Sequence, residues 1–268
     1  MTGSEVRWLH VHPDASRPEF RIGRSGRDVL AEWVGQVTLR ADIAGTGSEL
    51  IFAAGVERPV VENRLRGKIA ALLGHLRGQA SLHASSVARG DTAIAFFGDS
   101  GAGKSTIAAQ LCLQPEVGLL SDDLTSLSFD AAEVAVNPTD SGHLLRPDVA
   151  LALGLEPHPR EKTWAAARTA TKAARLAALV VLVFDDRVPK PLVRRVRGAA
   201  PFVALNQSLV RFVLDEPEVL RRDMDTLARI AERVSFFELV RAPNMSQLTA
   251  TAREAAHLLS SLADGSLH

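Results

Sequence analysis

Ala93-Ile94-Ala95-Phe96-Phe97 is an unbroken apolar run that stops at Gly98, the pattern of a buried strand. Before it, Leu82-His83-Ala84-Ser85-Ser86-Val87 and the turn at Gly90-Asp91 predict the other arm of a hairpin. After it come a Gly-rich stretch, helical spacing from Ile107 to Leu113, and Val117-Gly118-Leu119-Leu120 running into Asp122-Asp123. The order is strand, loop, helix, strand. Val134-Ala135-Val136 and Leu176 to Phe184 predict further strands, while apolar residues at helical spacing predict helices over Val60 to Gly78, Glu216 to Val234 and Met245 to Leu262. From Glu5 to Pro59 the apolar pieces are short and broken by Pro and Gly, as in Val6 to Val11 and Gln36 to Arg40, and predict a small β-rich layer. With no internal repeat and no long linker, the expected organisation is an α/β chain with an N-terminal β-rich segment over 1–64 and a larger domain over 65–268.

Composition narrows the class. The 268 residues are 46% hydrophobic and 23% charged, which suits a folded domain with a real core and argues against a disordered chain. Lys and Arg number 31 and so do Asp and Glu, so no global field favours nucleic acid or an anionic membrane, and neither is expected as a partner. The single cysteine, Cys112, has no disulfide partner, which points to a reducing compartment, the cytoplasm. The longest apolar run, Leu176 to Phe184, is well short of the roughly 20 residues that span a bilayer, and nothing near Glu5, Arg7 and His10 reads as a signal peptide.

The eight residues Gly98-Asp99-Ser100-Gly101-Ala102-Gly103-Lys104-Ser105 fit the phosphate-loop pattern at every fixed position. Its glycines let backbone N–H groups converge on phosphate oxygens, and the helix behind favours negative charge at its N-terminus. Lys104 then reaches the β- and γ-phosphates, and the Ser105 hydroxyl ligates Mg²⁺. A neighbouring parallel strand would deliver Asp122 and Asp123 to the same place, one holding Mg²⁺ and the other acting on the nucleophile.

Other signals are weaker. Arg146 and Lys162 follow the acidic pair and are candidates for neutralising a transferring phosphate. His10 and His12 share a strand face but lack a third ligand, so no zinc is expected. Arg194, Arg195 and Arg197 form a basic run that reads most simply as a solvated face, and Leu220, Met224, Leu227, Ala231 and Val234 as a helix stripe packed on a core.

The stretch from His83-Ala84-Ser85 through Gly98-Asp99-Ser100-Gly101-Ala102-Gly103-Lys104-Ser105-Thr106 to Leu120-Ser121-Asp122-Asp123 resembles the catalytic domain of bacterial HPr kinase/phosphorylase. The likeness is greater to its shorter relatives, among them the HPr-kinase-like kinases of lasso-peptide gene clusters. The resemblance implies a P-loop core related to phosphoenolpyruvate carboxykinase, here with a small N-terminal β-rich layer, that transfers phosphate from Mg-ATP to a serine hydroxyl of a protein or peptide. Carried over residue by residue, Asp122 is the catalytic aspartate that takes the hydroxyl proton, Asp123 its neighbour near Mg²⁺, and His83 the active-site histidine. Lys104 and Ser105 keep their loop roles, and Gly98 to Thr106 bind ATP or ADP. The matched motifs occupy Leu82 to Leu124. The family's later Glu-Ile-Arg-Gly signature is absent, so the reverse, phosphate-dependent reaction is not implied. A nucleotide-binding regulatory module with little turnover and a small-molecule kinase both stay open, as do the acceptor and a homo-oligomeric state.

Overall fold

Strict alternation builds the first sheet. In β1 (Arg7–His12), β2 (Phe20–Ser25), β3 (Asp28–Trp33), β4 (Val37–Asp42) and β5 (Ser48–Phe52) the strands are antiparallel and follow chain order. Along β3 and β4 every second residue is buried, giving one face that needs cover. Helix α1 (Arg58–Leu76) supplies it, packing Val61, Leu65, Leu72 and Leu76 on Ile22, Trp33 and Leu39. The computed structural model describes residues 5–12, 18–158, 161–212 and 217–267. Its two compact units are 1–80 with 210–225, and 81–209 with 226–268. The boundary expected at 64/65 therefore falls inside α1, because the apolar stripe of that helix belongs to the core of the β layer.

Residues 210–212 and 217–225 belong to this first unit without any sequence pattern that announces it. The Arg222 guanidinium donates to the His75 carbonyl at 2.8 Å, Arg211 pairs with Asp223 at 3.2 Å, and Phe212 meets the His75 ring edge-on. His75 is only 4% exposed. Burial, reinforced by the charges of Arg222 and Arg211, pulls its imidazole down to about 4.

The second unit contains β6 (Ala80–Leu82), whose first residue belongs to the first unit, then β7 (Ser85–Arg89), β8 (Thr92–Phe97), α2 (Lys104–Leu111), β9 (Val117–Ser121), β10 (Thr125–Phe129) and β11 (Val134–Val136). There follow β12 (Gly142–Leu145), α3 (Pro147–Ala152), β13 (Thr163–Ala166), β14 (Ala174–Phe184), β15 (Leu192–Val196) and α4 (Ala199–Ser208). The chain closes with α5 (Pro217–Arg233), shared between the units, β16 (Ser235–Arg241) and α6 (Leu248–Ala263). The expected helix start at Glu216 lies outside the described residues. The expected arm Leu82 to Val87 is divided, since the strand breaks at His83-Ala84 between β6 and β7.

All six residues of β8 are buried. It lies parallel to β14, with Val180 opposite Phe96, and β16 runs parallel along the other edge of β14, with Leu182 opposite Leu239. Helices α2 and α6 cover one face, burying Ile107, Leu111, Leu258 and Leu259 against Val87, Phe96 and Leu239. The carboxyl ends of β8, β14 and β16 consequently open on the same edge, where ligands of such sheets collect. No helix among the described residues is long and apolar enough to cross a membrane.

Because His75 is held neutral in the folded unit and is free to protonate when unfolded, the unfolded chain binds more protons between pH 6.5 and about 4. Stability should be full above pH 6.5 and fall as pH drops through this window, by up to about 3 kcal/mol for the group. Urea unfolding followed by Trp fluorescence at pH 7 and pH 4.5 should show this loss, and His75→Leu should flatten it.

Candidate functional site

The loop after β8 is left-handed at three glycines: Gly98 (φ 133°), Gly101 (φ 84°) and Gly103 (φ 97°). Gly103 is the more constrained, since a Cβ there would sit 2.8 Å from a guanidinium nitrogen of Arg241. The chain then enters α2 at Lys104, leaving the first-turn N–H groups of the helix facing the loop. Lys104 is 8% exposed and its Nζ donates to the carbonyls of Gly98 (2.8 Å) and Asp99 (3.1 Å). Burial pulls its ammonium below the usual lysine range, and the carboxylates of Asp123, Asp99 and Asp122 oppose that pull. The charge of Lys162 acts in the same direction as burial, so this sequence candidate does stand near the loop. Arg146 does not join it, being paired with Asp148 at 3.2 Å on the surface.

The two aspartates share a turn and face different ways. Asp123 has a positive φ of 80°, and no other described non-glycine residue does. Asp tolerates this left-handed backbone better than most residues, and the kink turns Asp122 inward and Asp123 out. The Asp122 side chain is 7% exposed. It accepts from the Ser85 hydroxyl at 2.8 Å and from the Leu144 N–H at 3.3 Å. The His143 Nδ1 stands 3.5 Å from Oδ1, a long approach for a hydrogen bond. Burial raises the Asp122 carboxyl, but His143, Ser85 and Ser105 outweigh it and hold the group below the ordinary carboxylate range. The Asp122 N–H donates to Asp140 at 2.8 Å, and Asp140 is itself raised by burial and by its two acidic neighbours.

Asp123 is 58% exposed and its Oδ1 lies 3.2 Å from His83 Nδ1. The His83 N–H donates to the Ser208 carbonyl at 2.7 Å and the Ala84 N–H to the Asp123 carbonyl at 3.2 Å, so the strand break between β6 and β7 fixes His83 beside the acidic turn. His83 and the loop residues Gly98, Asp99 and Ser100 line an open cleft of about 740 Å³ with Leu182, Phe184 and Gln207.

The structure thus brings together His83, the loop from Gly98 to Ser105, Asp122 and Asp123. It adds Ser85, Asp140, His143 and Arg241, which sequence reasoning missed. Arg241 ends β16 with its guanidinium buried, donating to the carbonyls of Ala102 (3.2 Å) and Ala242 (3.3 Å) over the Phe184 ring. Burial lowers it from the usual arginine range. A charged residue ending the largely apolar stretch Phe236-Phe237-Glu238-Leu239-Val240 was the available signal, because strand carboxyl ends carry ligand contacts in such sheets. The basic run is engaged elsewhere, with Arg194 on Glu238 and Arg195 on Ser235. Among the described residues no three His, Cys, Asp or Glu side chains converge into a metal cage.

No protein-family model and no curated protein matches the chain. Among solved structures, the HPr(Ser) kinase/phosphatase from Coxiella burnetii is similar at 11% identity and a TM-score of 0.37, over 68% of this chain and 98% of that one. A likeness that loose carries nothing about activity.

Gly103→Ala should destabilise the second unit by about 1–3 kcal/mol through backbone strain, with a further loss from the collision with Arg241. Adding Arg241→Met should recover the collision part and leave the strain, which a urea double-mutant cycle will separate.

Proposed function

We propose that this chain is a kinase that moves the γ-phosphoryl of Mg-ATP to a hydroxyl, that of a serine in a protein or peptide. The observation that carries the reading is the meeting, at the mouth of β8, of a glycine-rich loop with its buried lysine, the buried Asp122 held by Ser85, and the exposed Asp123–His83 pair. The loop N–H groups and the start of α2 would hold the phosphates, with Lys104 released from two loop carbonyls to a stronger, anionic acceptor. The serine preference rests on the sequence resemblance alone.

Mg²⁺ fits the residues present. It needs only one or two protein oxygens, completed by phosphate oxygens and water, and Ser105 with the ionised Asp122 offers such hard donors beside the loop. When bound it would draw off charge from the phosphate oxygens. Asp122 is buried and already engaged by its neighbours, which suits a fixed carboxylate on the metal side. Asp123 is exposed, carries one histidine contact, and borders the cleft through His83. We therefore assign Asp123 as the base and His83 as the group that orients it, the reverse of the roles expected for Asp122 and Asp123 from the sequence. In the transfer, the acceptor oxygen forms a bond to the γ-phosphorus, the bond to the β–γ bridging oxygen breaks, the hydroxyl proton passes to Asp123, and ADP leaves.

The test is transfer of labelled γ-phosphate from Mg-ATP into a lysate separated into protein and metabolite fractions. Label should appear in protein or peptide. Lys104→Ala should weaken nucleotide binding by about tenfold or more. Asp123→Asn should keep nucleotide affinity and lower transfer by about 10²–10⁴-fold, and wild-type transfer by that variant would remove the proposed base. Label confined to metabolites would make this a small-molecule kinase. Tight nucleotide binding with no label anywhere would leave a nucleotide-binding module in place of an enzyme.

A further inference from the structure

His143 is the most deeply buried histidine described in the chain, at 2% exposure, and an imidazole enclosed without a partner is disfavoured relative to an apolar side chain of similar size. Neither ring nitrogen makes a close hydrogen bond, and Nδ1 approaches Asp122 Oδ1 at 3.5 Å. The strand beneath it is pressed inward. Gly142 lies so close to the Ala165 carbonyl and the Trp164 ring that a Cβ there would collide with both, and β12 pairs with β13 with His143 opposite Ala165. Two consecutive residues of β12 then address the two oxygens of one carboxylate: the Leu144 N–H bonds Oδ2, and the His143 ring faces Oδ1. The Leu144 side chain points the opposite way and is 51% exposed, as strand alternation requires. Ser105 of the phosphate loop helps to keep the same carboxylate ionised.

We propose that His143 is a positioning residue which, by donating from Nδ1, holds the Asp122 carboxylate toward Ser105 in the orientation that a nucleotide-bound divalent cation needs. The proposal rests on the phosphate-loop reading of the site. It requires a donor at this position and makes no demand for a charge. Partners that orient a metal-side carboxylate typically change metal affinity by about 10–100-fold when removed.

The experiment uses the full chain and a fluorescent ADP analogue titrated with and without Mg²⁺, the quantity read being the gain in affinity that Mg²⁺ confers. Wild type should bind more tightly with Mg²⁺. His143→Leu should lose about tenfold or more of that gain while its metal-free affinity stays near wild type. His143→Asn, whose amide nitrogen falls near the position of Nδ1, should keep most of it. His143→Met stands in for the leucine variant should that one not fold, and thermal midpoints of all variants separate packing loss from the metal-linked effect. The proposal is overturned if the apolar variant keeps the full Mg²⁺ gain, or if asparagine and the apolar variant lose it equally. A wild-type chain that binds no ADP under either condition would remove the phosphate-loop reading and this proposal with it, whereas intact Mg²⁺-linked binding in the apolar variant would remove this proposal alone.

Discussion

Three buried hydroxyls lie under the acidic turn and hold its strands in register. The Ser86 and Ser121 oxygens are 2.6 Å apart, Ser121 and Thr125 are 2.7 Å apart, and Thr125 donates onward to the Ala84 carbonyl at 3.0 Å. They tie the beginning of β7, the end of β9 and the beginning of β10 to one point. In a low-dielectric interior such a chain is worth more than its separate bonds, and a gap in it would leave polar atoms unpaired. Because these strand ends cannot drift apart, His83, Asp122 and Asp123 stay within reach of the loop that ends β8.

The same anchoring gives two neighbouring carboxylates unlike surroundings. One is turned into the protein, where hydrogen-bond donors overcome the penalty of burial and keep it ionised. The other stands in the open beside an imidazole. Groups whose environments differ in this way can divide roles that identical residue types would otherwise share. The division comes from a single left-handed residue, Asp123, placed where a buried strand must turn. Lys104 completes the balance, since the acidic groups around it oppose the effect of its own burial.

The short apolar segments flanking the loop, Ala93 to Phe97 and Val117 to Leu120, were legible because a strand buried on both faces needs a continuous apolar run, and β8 and β9 occupy those places. The N-terminal β layer was legible in outline only. Its helix was found but assigned across a boundary, since a helix stripe shows that a face is buried and not which sheet buries it. Segments β12, β13 and β16 escaped notice, being short or of mixed polarity.

By itself, the sequence determined the glycine-rich loop from Gly98 to Ser105 between a buried strand and a helix, because such a turn is built from contiguous backbone and needs its glycines at fixed local spacing. The aspartates were expected on a parallel strand next to β8, whereas antiparallel β7 lies between β8 and β9, and His83 was placed with them by the resemblance alone. Only the tertiary structure decided which aspartate is buried, and that Ser85, Asp140, His143 and Arg241 surround the loop. Those four sit on separate segments whose meeting depends on strand order and register, and sheet pairing between residues far apart in the chain leaves no local periodicity to read.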